Sequence, residues 1–203
     1  MDPRFCVYIV ESVQLVDIES DRLQCERLAE MLSLAGTPAG YAFAHSEADF
    51  YRCVSTGVLT YSAKMKLFPI LHLTTHGNPS GIVLFDGTPV PWVRLRELLQ
   101  PLFEATNGSA ILCMSSCSGL NACGMTLAGA RYHFIVGSRE ELGFSDSAVA
   151  FASFYHLLAK NLDLKAAVSG MNAACGQNTF EFTLGPDGGK RYLQLFLDRR
   201  SEQ

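Results

Sequence analysis

The chain has 203 residues, 48% of them apolar, with 16 basic against 20 acidic side chains and a formal charge of −4. That is enough apolar material for one compact domain over 1–203, and it excludes a broad basic face of the kind that holds nucleic acid. No run reaches the roughly 18–20 apolar residues that span a bilayer, and the N-terminus lacks a signal pattern, so a soluble cytoplasmic protein without membrane contact is expected.

FCVYIVESV (5–13) reads as a strand and feeds an amphipathic helix over 20–36, where Leu23, Leu28, Met31, Leu32 and Ala35 recur near helical spacing before a Gly stop. GYAFAHS (40–46) predicts a second strand, and SEADFYRCV (46–54) a short helix with Ser46 as N-cap and Asp49 three residues on. Residues 55–66 fit neither period. PILHLTTHG (69–77) is a continuous apolar and β-branched run, as expected of a strand buried on both faces of a parallel sheet. GIVLF, Asp86-Gly87 and TPVPW (81–92) resemble a small hairpin outside that sheet, and 93–108 reads as a helix broken or ended near Pro101.

SAILCMSSCSG (109–119) is another buried-strand candidate, followed by a helix from Leu120 or Asn121 and the strand YHFIVG (132–137). Two helices follow, 145–161 and 162–176, and TFEFTL (179–184) and RYLQLFLD (191–198) flank the Gly-rich turn GPDGGK. The alternation of strands and helices predicts an α/β fold with a mostly parallel sheet covered on both faces. Ligands of such sheets sit at the carboxyl ends of the strands.

Two strands end there in chemically capable residues, His76 and Cys117. The seven cysteines show neither zinc-site spacing nor the density of a disulfide scaffold, so no metal is expected and most are buried thiols. Cys113 lies inside its strand, and Cys123 could only be a resolving or structural thiol. Cys117 is different: Ser118 and Gly119 let the backbone turn closely before a helix starts, a place suited to a nucleophilic thiol. His76 holds the equivalent place on its own strand, whereas His72 lies mid-strand and is expected to be a packed core residue. If the two strands are neighbours, imidazole and thiol face each other. The N–H groups of Gly77 and Cys117 then offer two donors to an oxyanion. Such a site performs acyl transfer: thiolate attack on an amide, protonation of the leaving amine by His76, then hydrolysis of the thioester.

HLTTHG and ILCMSSCSG together resemble the catalytic pair of caspase-like (clan CD) cysteine peptidases, the group that includes metacaspases, gingipains, separases and CHAT domains. FIVGSREELGFSDSAVAFASFYHLLAKNLDLKAAVSGMNAA is similar to the tail of CHAT domains, and the resemblance runs from about residue 67 to residue 177. It implies a caspase-like three-layer sandwich with a mostly parallel central sheet. It implies Cys117 as nucleophile, His76 as general acid and base, and Gly77 with the Cys117 amide as oxyanion hole, with no metal or organic cofactor. The pocket for the residue before the scissile bond would be lined by Ser115, Gly137, Ser138 and the segment 139–146. Asp146 there would receive a basic side chain, unless it caps the following helix, and Arg139 would favour an acidic one.

The resemblance further implies a protein substrate, gasdermin-like pore formers being one class known for the family. It also implies an activating or recruiting protein partner and a bacterial antiviral-defence or cell-death role. Caspases carry Gln-Ala-Cys-Arg/Gln-Gly at the nucleophile. Here Ser115-Ser116-Cys117-Ser118-Gly119 stands in its place, so specificity for acidic residues is not implied. About a dozen residues separate Cys117 from the next strand, too few for a cleavable activation linker. The rival readings are a catalytically silent caspase-fold regulatory or interaction module, and a different thiol enzyme such as an amidase or acyltransferase. No G-x-S-x-G, P-loop or G-x-G-x-x-G supports a serine hydrolase, NTPase or dinucleotide enzyme.

Overall fold

The computed structural model describes residues 4–20, 22–176 and 178–201. Asp21, inside the helix predicted over 20–36, and the ends of the predicted domain, 1–3 and 202–203, lie outside them. The strands of the described residues are β1 (Phe5–Ser12), β2 (Ala39–Phe43), β3 (Phe68–Asn78), β4 (Gly81–Val83), β5 (Pro89–Pro91), β6 (Ile111–Ser115), β7 (Phe134–Ser138) and β8 (Phe180–Leu184). The main sheet has the order β2-β1-β3-β6-β7-β8, parallel throughout except for β8, which runs antiparallel to β7. β4 and β5 form the expected hairpin. It is not detached from the sheet, however, because β4 pairs antiparallel with the end of β3, Gly77 opposite Ile82.

The helices are α1 (Leu15–Glu19), α2 (Cys25–Leu34), α3 (Glu47–Arg52), α4 (Val58–Met65), α5 (Trp92–Leu98), α6 (Gln100–Ala105), α7 (Phe144–Asn161), α8 (Leu164–Cys175) and α9 (Gly188–Ser201). They cover both faces of the sheet, which is why β3 reads as an unbroken apolar run. Leu71 and Leu73 pack with Phe50, Val58, Leu95 and Leu102 from α3 to α6, while Ile70 enters a second core with Leu28 of α2, Phe151 and Phe154 of α7 and Met171 of α8. Each fully buried side chain of this size contributes about 2 kcal/mol of transfer free energy.

Local signals account for most boundaries. Ser46 caps α3, its hydroxyl accepting the Asp49 N–H at 3.2 Å. The stretch that fitted no period, 55–66, is helical: a π-helical turn over Cys53–Gly57 joins α3 to α4 and keeps both Val54 and Val58 buried. A side chain at Gly57 would require the Tyr8 ring to shift, since its Cβ would lie 2.6 Å from the Tyr8 hydroxyl. The helix broken near Pro101 is α5 followed by α6.

Three expectations are corrected. The helix predicted over 20–36 begins only at Cys25, and the short α1 precedes it. The helix expected from Leu120 or Asn121 begins at Gly119 and is of the 3-10 type through Ala128, consistent with its glycine content and the burial of every residue from Gly119 to Met125. RYLQLFLD lies in α9, where Leu195 is buried and Arg199 reaches Asn121 Oδ1 at 2.8 Å, a helical rather than a strand spacing. Among the described residues, no helix is long and apolar enough to cross a membrane, and no group of three His, Cys, Asp or Glu side chains could hold a metal ion.

Candidate active site

β3 and β6 are adjacent and parallel, with Thr74 opposite Ser115. His76 and Cys117, each two residues further on, therefore leave neighbouring strands at the same edge of the sheet. Both line a cavity of about 120 Å³, whose wall is completed by Val13, Thr74, Ser115, Leu142, Phe144 and Ser147 among others.

His76 is held by a residue that the sequence reading missed. Its Nε2 lies 2.6 Å from Asp17 Oδ2, across 59 residues of sequence. Asp17 sits on α1, is only 2% exposed, and also faces the Arg22 guanidinium at 3.7 Å. A carboxylate so buried requires partners, and these two supply them. The Arg22 guanidinium in turn covers the Phe144 ring, which meets the His76 ring edge-on. With Nε2 engaged by Asp17, Nδ1 is the nitrogen left for proton exchange.

Cys117 is fixed by its backbone and by the loop after β7. Ser118 adopts φ 54°, in the left-handed region, which turns the chain sharply into the 3-10 helix. The Ser118 N–H donates to Glu140 O at 2.9 Å, and the Leu142 N–H donates to Cys117 Sγ at 3.3 Å. On the other side, a Cβ on Gly77 would stand 2.6 Å from the Cys117 carbonyl oxygen, so only glycine allows the ends of β3 and β6 to approach this closely. Among the described residues no hydrogen bond joins His76 to Cys117, and the Cys117 N–H donates to no backbone carbonyl.

Of the remaining cysteines, Cys6, Cys25, Cys53, Cys113 and Cys123 are buried in the core and Cys175 is partly exposed. Burial pushes the Cys6 thiol up to about 11 and those of Cys113 and Cys123 up to about 12. Burial also raises Cys25, Cys53 and Cys175.

The predicted specificity residues divide. Ser115 lines the cavity, its hydroxyl 2.5 Å from that of Ser147 on α7, and Leu142 and Phe144 represent the segment 139–146. Gly137, Ser138, Arg139 and Asp146 are not in the wall. Gly137 backs onto Gly119 and Leu120, and Ser138 is buried in a turn where its hydroxyl bonds to Glu140. Arg139 is paired with Glu181 at 3.1 Å. Asp146 lies in the first turn of α7 beside Gly143, which is itself the N-cap residue, and the Asp146 carbonyl accepts from Cys175 Sγ at 3.2 Å.

Beneath the cavity runs a chain of buried polar groups. His72 Nδ1 meets the Tyr155 hydroxyl at 2.9 Å and its Nε2 meets Thr74 Oγ1 at 3.2 Å. His72 is thus the core residue expected, and complete burial lowers its pKa to about 3. Glu11, also buried, accepts from the backbone N–H of Gln24 at 3.0 Å and of Cys25 at 3.4 Å, and Gln24 Nε2 donates to Phe144 O at 2.7 Å. These bonds tie β1, α2 and the start of α7 together behind the reactive pair.

No family model matches the sequence, and no curated protein matches it. Among solved structures the chain is similar to an inactive zymogen C11 protease from Parabacteroides distasonis, with a TM-score of 0.56 at 10% identity, over 94% of this chain. The chain spans 64% of the length of that protease. At this identity the likeness concerns the fold alone: a mixed α/β architecture with a mostly parallel central sheet, helices on both faces and the arrangement of a caspase-like domain.

Proposed function

We propose that the protein is a cysteine endopeptidase in which Cys117 is the nucleophile and His76 the general acid and base. The observation that carries the reading is the placement of both on one cavity at the ends of adjacent parallel strands, with His76 Nε2 already engaged by a buried carboxylate. Cys117 gives its thiol proton to His76, the thiolate adds to the substrate carbonyl, and the oxyanion formed is met by the N–H groups of Gly77 and Cys117. His76 passes a proton to the leaving amine, the C–N bond breaks, and a water activated by His76 then hydrolyses the thioester. Asp17 acts on His76 and not on substrate: it engages one ring nitrogen and holds the ring in place.

The finer assignment rests on the sequence resemblance. It is a CHAT-like defence or cell-death effector in the cytoplasm, cutting a protein of the gasdermin type and brought to it by a partner protein. One observation favours the silent regulatory module instead, since the Cys117 sulfur contacts the Leu142 backbone and forms no hydrogen bond with His76. Purified protein is incubated with a proteome-derived peptide library, with Cys117→Ala and His76→Ala alongside, and new termini are read by mass spectrometry. Cuts that vanish with either substitution support the peptidase. Cuts that persist with Cys117→Ala, or none at all, move the silent module ahead.

A further inference from the structure

The cavity at Cys117 carries information about substrate through the charges its wall lacks, on the reading of Cys117 and His76 as the reactive pair. Because sulfur and imidazole are themselves part of the wall, a side chain entering the cavity belongs to the residue whose carbonyl lies at Cys117. Beyond that pair every described residue of the wall is uncharged. The ionic groups nearby stand outside the wall and are engaged there: Asp17 holds His76 Nε2 and faces Arg22, Glu11 accepts from the Gln24 and Cys25 N–H groups, Arg139 is paired with Glu181, and Asp146 lies in the first turn of α7 beside Gly143. An ammonium, guanidinium or carboxylate in about 120 Å³ would give up hydration and meet no opposite charge in the wall beyond the reactive pair, which is unfavourable.

The cavity is nevertheless not a greasy slot. Ser115 Oγ and Ser147 Oγ share one hydrogen, which leaves the pair a second hydroxyl hydrogen and several lone pairs unspent. Thr74 Oγ1, on the same face of the sheet, is already taken by His72 Nε2 at 3.2 Å, so the serine pair carries the spare capacity. Buried hydroxyls with spare capacity reward a ligand that returns the hydrogen bond.

We propose that this cavity selects an uncharged, hydrogen-bonding side chain, an amide or a hydroxyl such as Gln, Asn, Thr or Ser, on the residue immediately before the scissile bond. Gln and Leu are similar in bulk, so the polar wall and not the volume distinguishes them. The Ser115–Ser147 pair is the specificity element, and neither Asp146 nor Arg139 has that role.

The test uses the full chain and peptidyl acyloxymethyl ketones identical except for a terminal Gln, Leu, Lys or Asp, with the rate of adduct formation at Cys117 followed by mass spectrometry. Gln reacts fastest, by at least about tenfold over Lys and Asp, and its advantage over Leu disappears in Ser147→Ala, with Ser115→Ala as the second variant should the first fail to fold. Faster reaction of Lys or Asp, or equal rates for Gln and Leu in the unaltered protein, overturns the proposal and leaves the peptidase reading standing. If iodoacetamide alkylates Cys117 while no peptidyl ketone does, both fall together.

Discussion

The buried carboxylate of Asp17 lies 2.6 Å from His76 Nε2, and that bond occupies one ring nitrogen and leaves Nδ1 as the other. An Asn at position 17 keeps the shape but presents an amide that is free to favour the wrong tautomer. Asp17→Asn therefore lowers turnover by about two to four orders of magnitude with little change in KM. Thermal melts and the pH dependence of kcat check it: an unchanged melting temperature with a displaced acid limb marks a positioning role, and a large fall in melting temperature with an unchanged pH profile refutes it.

Alkylation discriminates the seven thiols. Iodoacetamide at neutral pH labels Cys117 first: Cys6, Cys113 and Cys123 are buried and held at about 11, 12 and 12, and Cys175, the other partly exposed thiol, is raised by desolvation and donates to the Asp146 carbonyl. Cys123→Ala leaves the labelling rate and any peptidase activity intact, and Cys117→Ala removes both. Peptide mapping of the first modified site checks this, and preferential labelling of Cys175 would count against it.

Gly77→Ala tests the close approach of β3 and β6. The new Cβ would meet the Cys117 carbonyl oxygen at 2.6 Å and Ser116 Cβ at 3.1 Å, backbone and near-backbone atoms that cannot rotate away. A loss of about 1–3 kcal/mol in stability is expected, together with loss of peptide cleavage even at temperatures where the variant remains folded. Urea unfolding and cleavage assays on the same sample separate the two effects.

Stability should depend on pH through His72. The unfolded histidine takes up its proton near 6.5, and the buried one resists protonation down to about 3. Between these values the unfolded state binds more protons, so stability falls as the pH is lowered, by up to about 1.4 kcal/mol per pH unit from this group. His72→Gln lacks that component. Urea midpoints of both proteins at pH 7, 6, 5 and 4 check the difference, and parallel slopes would show that His72 is not the group responsible.

Much of this architecture is legible in the residues because burial on two faces leaves a plain mark. β3 and β6 read as unbroken apolar runs, and their His and Cys termini follow directly. Asp17 left no such mark. It occupies a five-residue helix with no period to detect, and it meets His76 only because β1 and β3 pair with Ser12 opposite Thr75. The predicted pocket residues divide for a related reason: sequence offers Ser115, Ser138, Arg139 and Asp146 alike, and only the packed structure shows Ser115 and Ser147 on the cavity, with Arg139 bound to Glu181. RYLQLFLD alternates on paper like a strand. Its helical packing is dictated by a distant partner, Gly124, whose missing side chain leaves room for the Tyr192 ring.

The strand order β2-β1-β3-β6-β7-β8 has a consequence for biosynthesis. Once β1 and β2 have paired, every later strand of the main sheet adds to the same open edge in the order of translation. His76 is thus in place before β6 arrives, and the Cys117 sulfur stays uncovered until Leu142 and α7 follow. A nascent chain that has emerged from the ribosome only as far as the segment between Gly119 and Glu141 displays a bare strand edge and an unshielded thiol together, an interval open to both aggregation and oxidation.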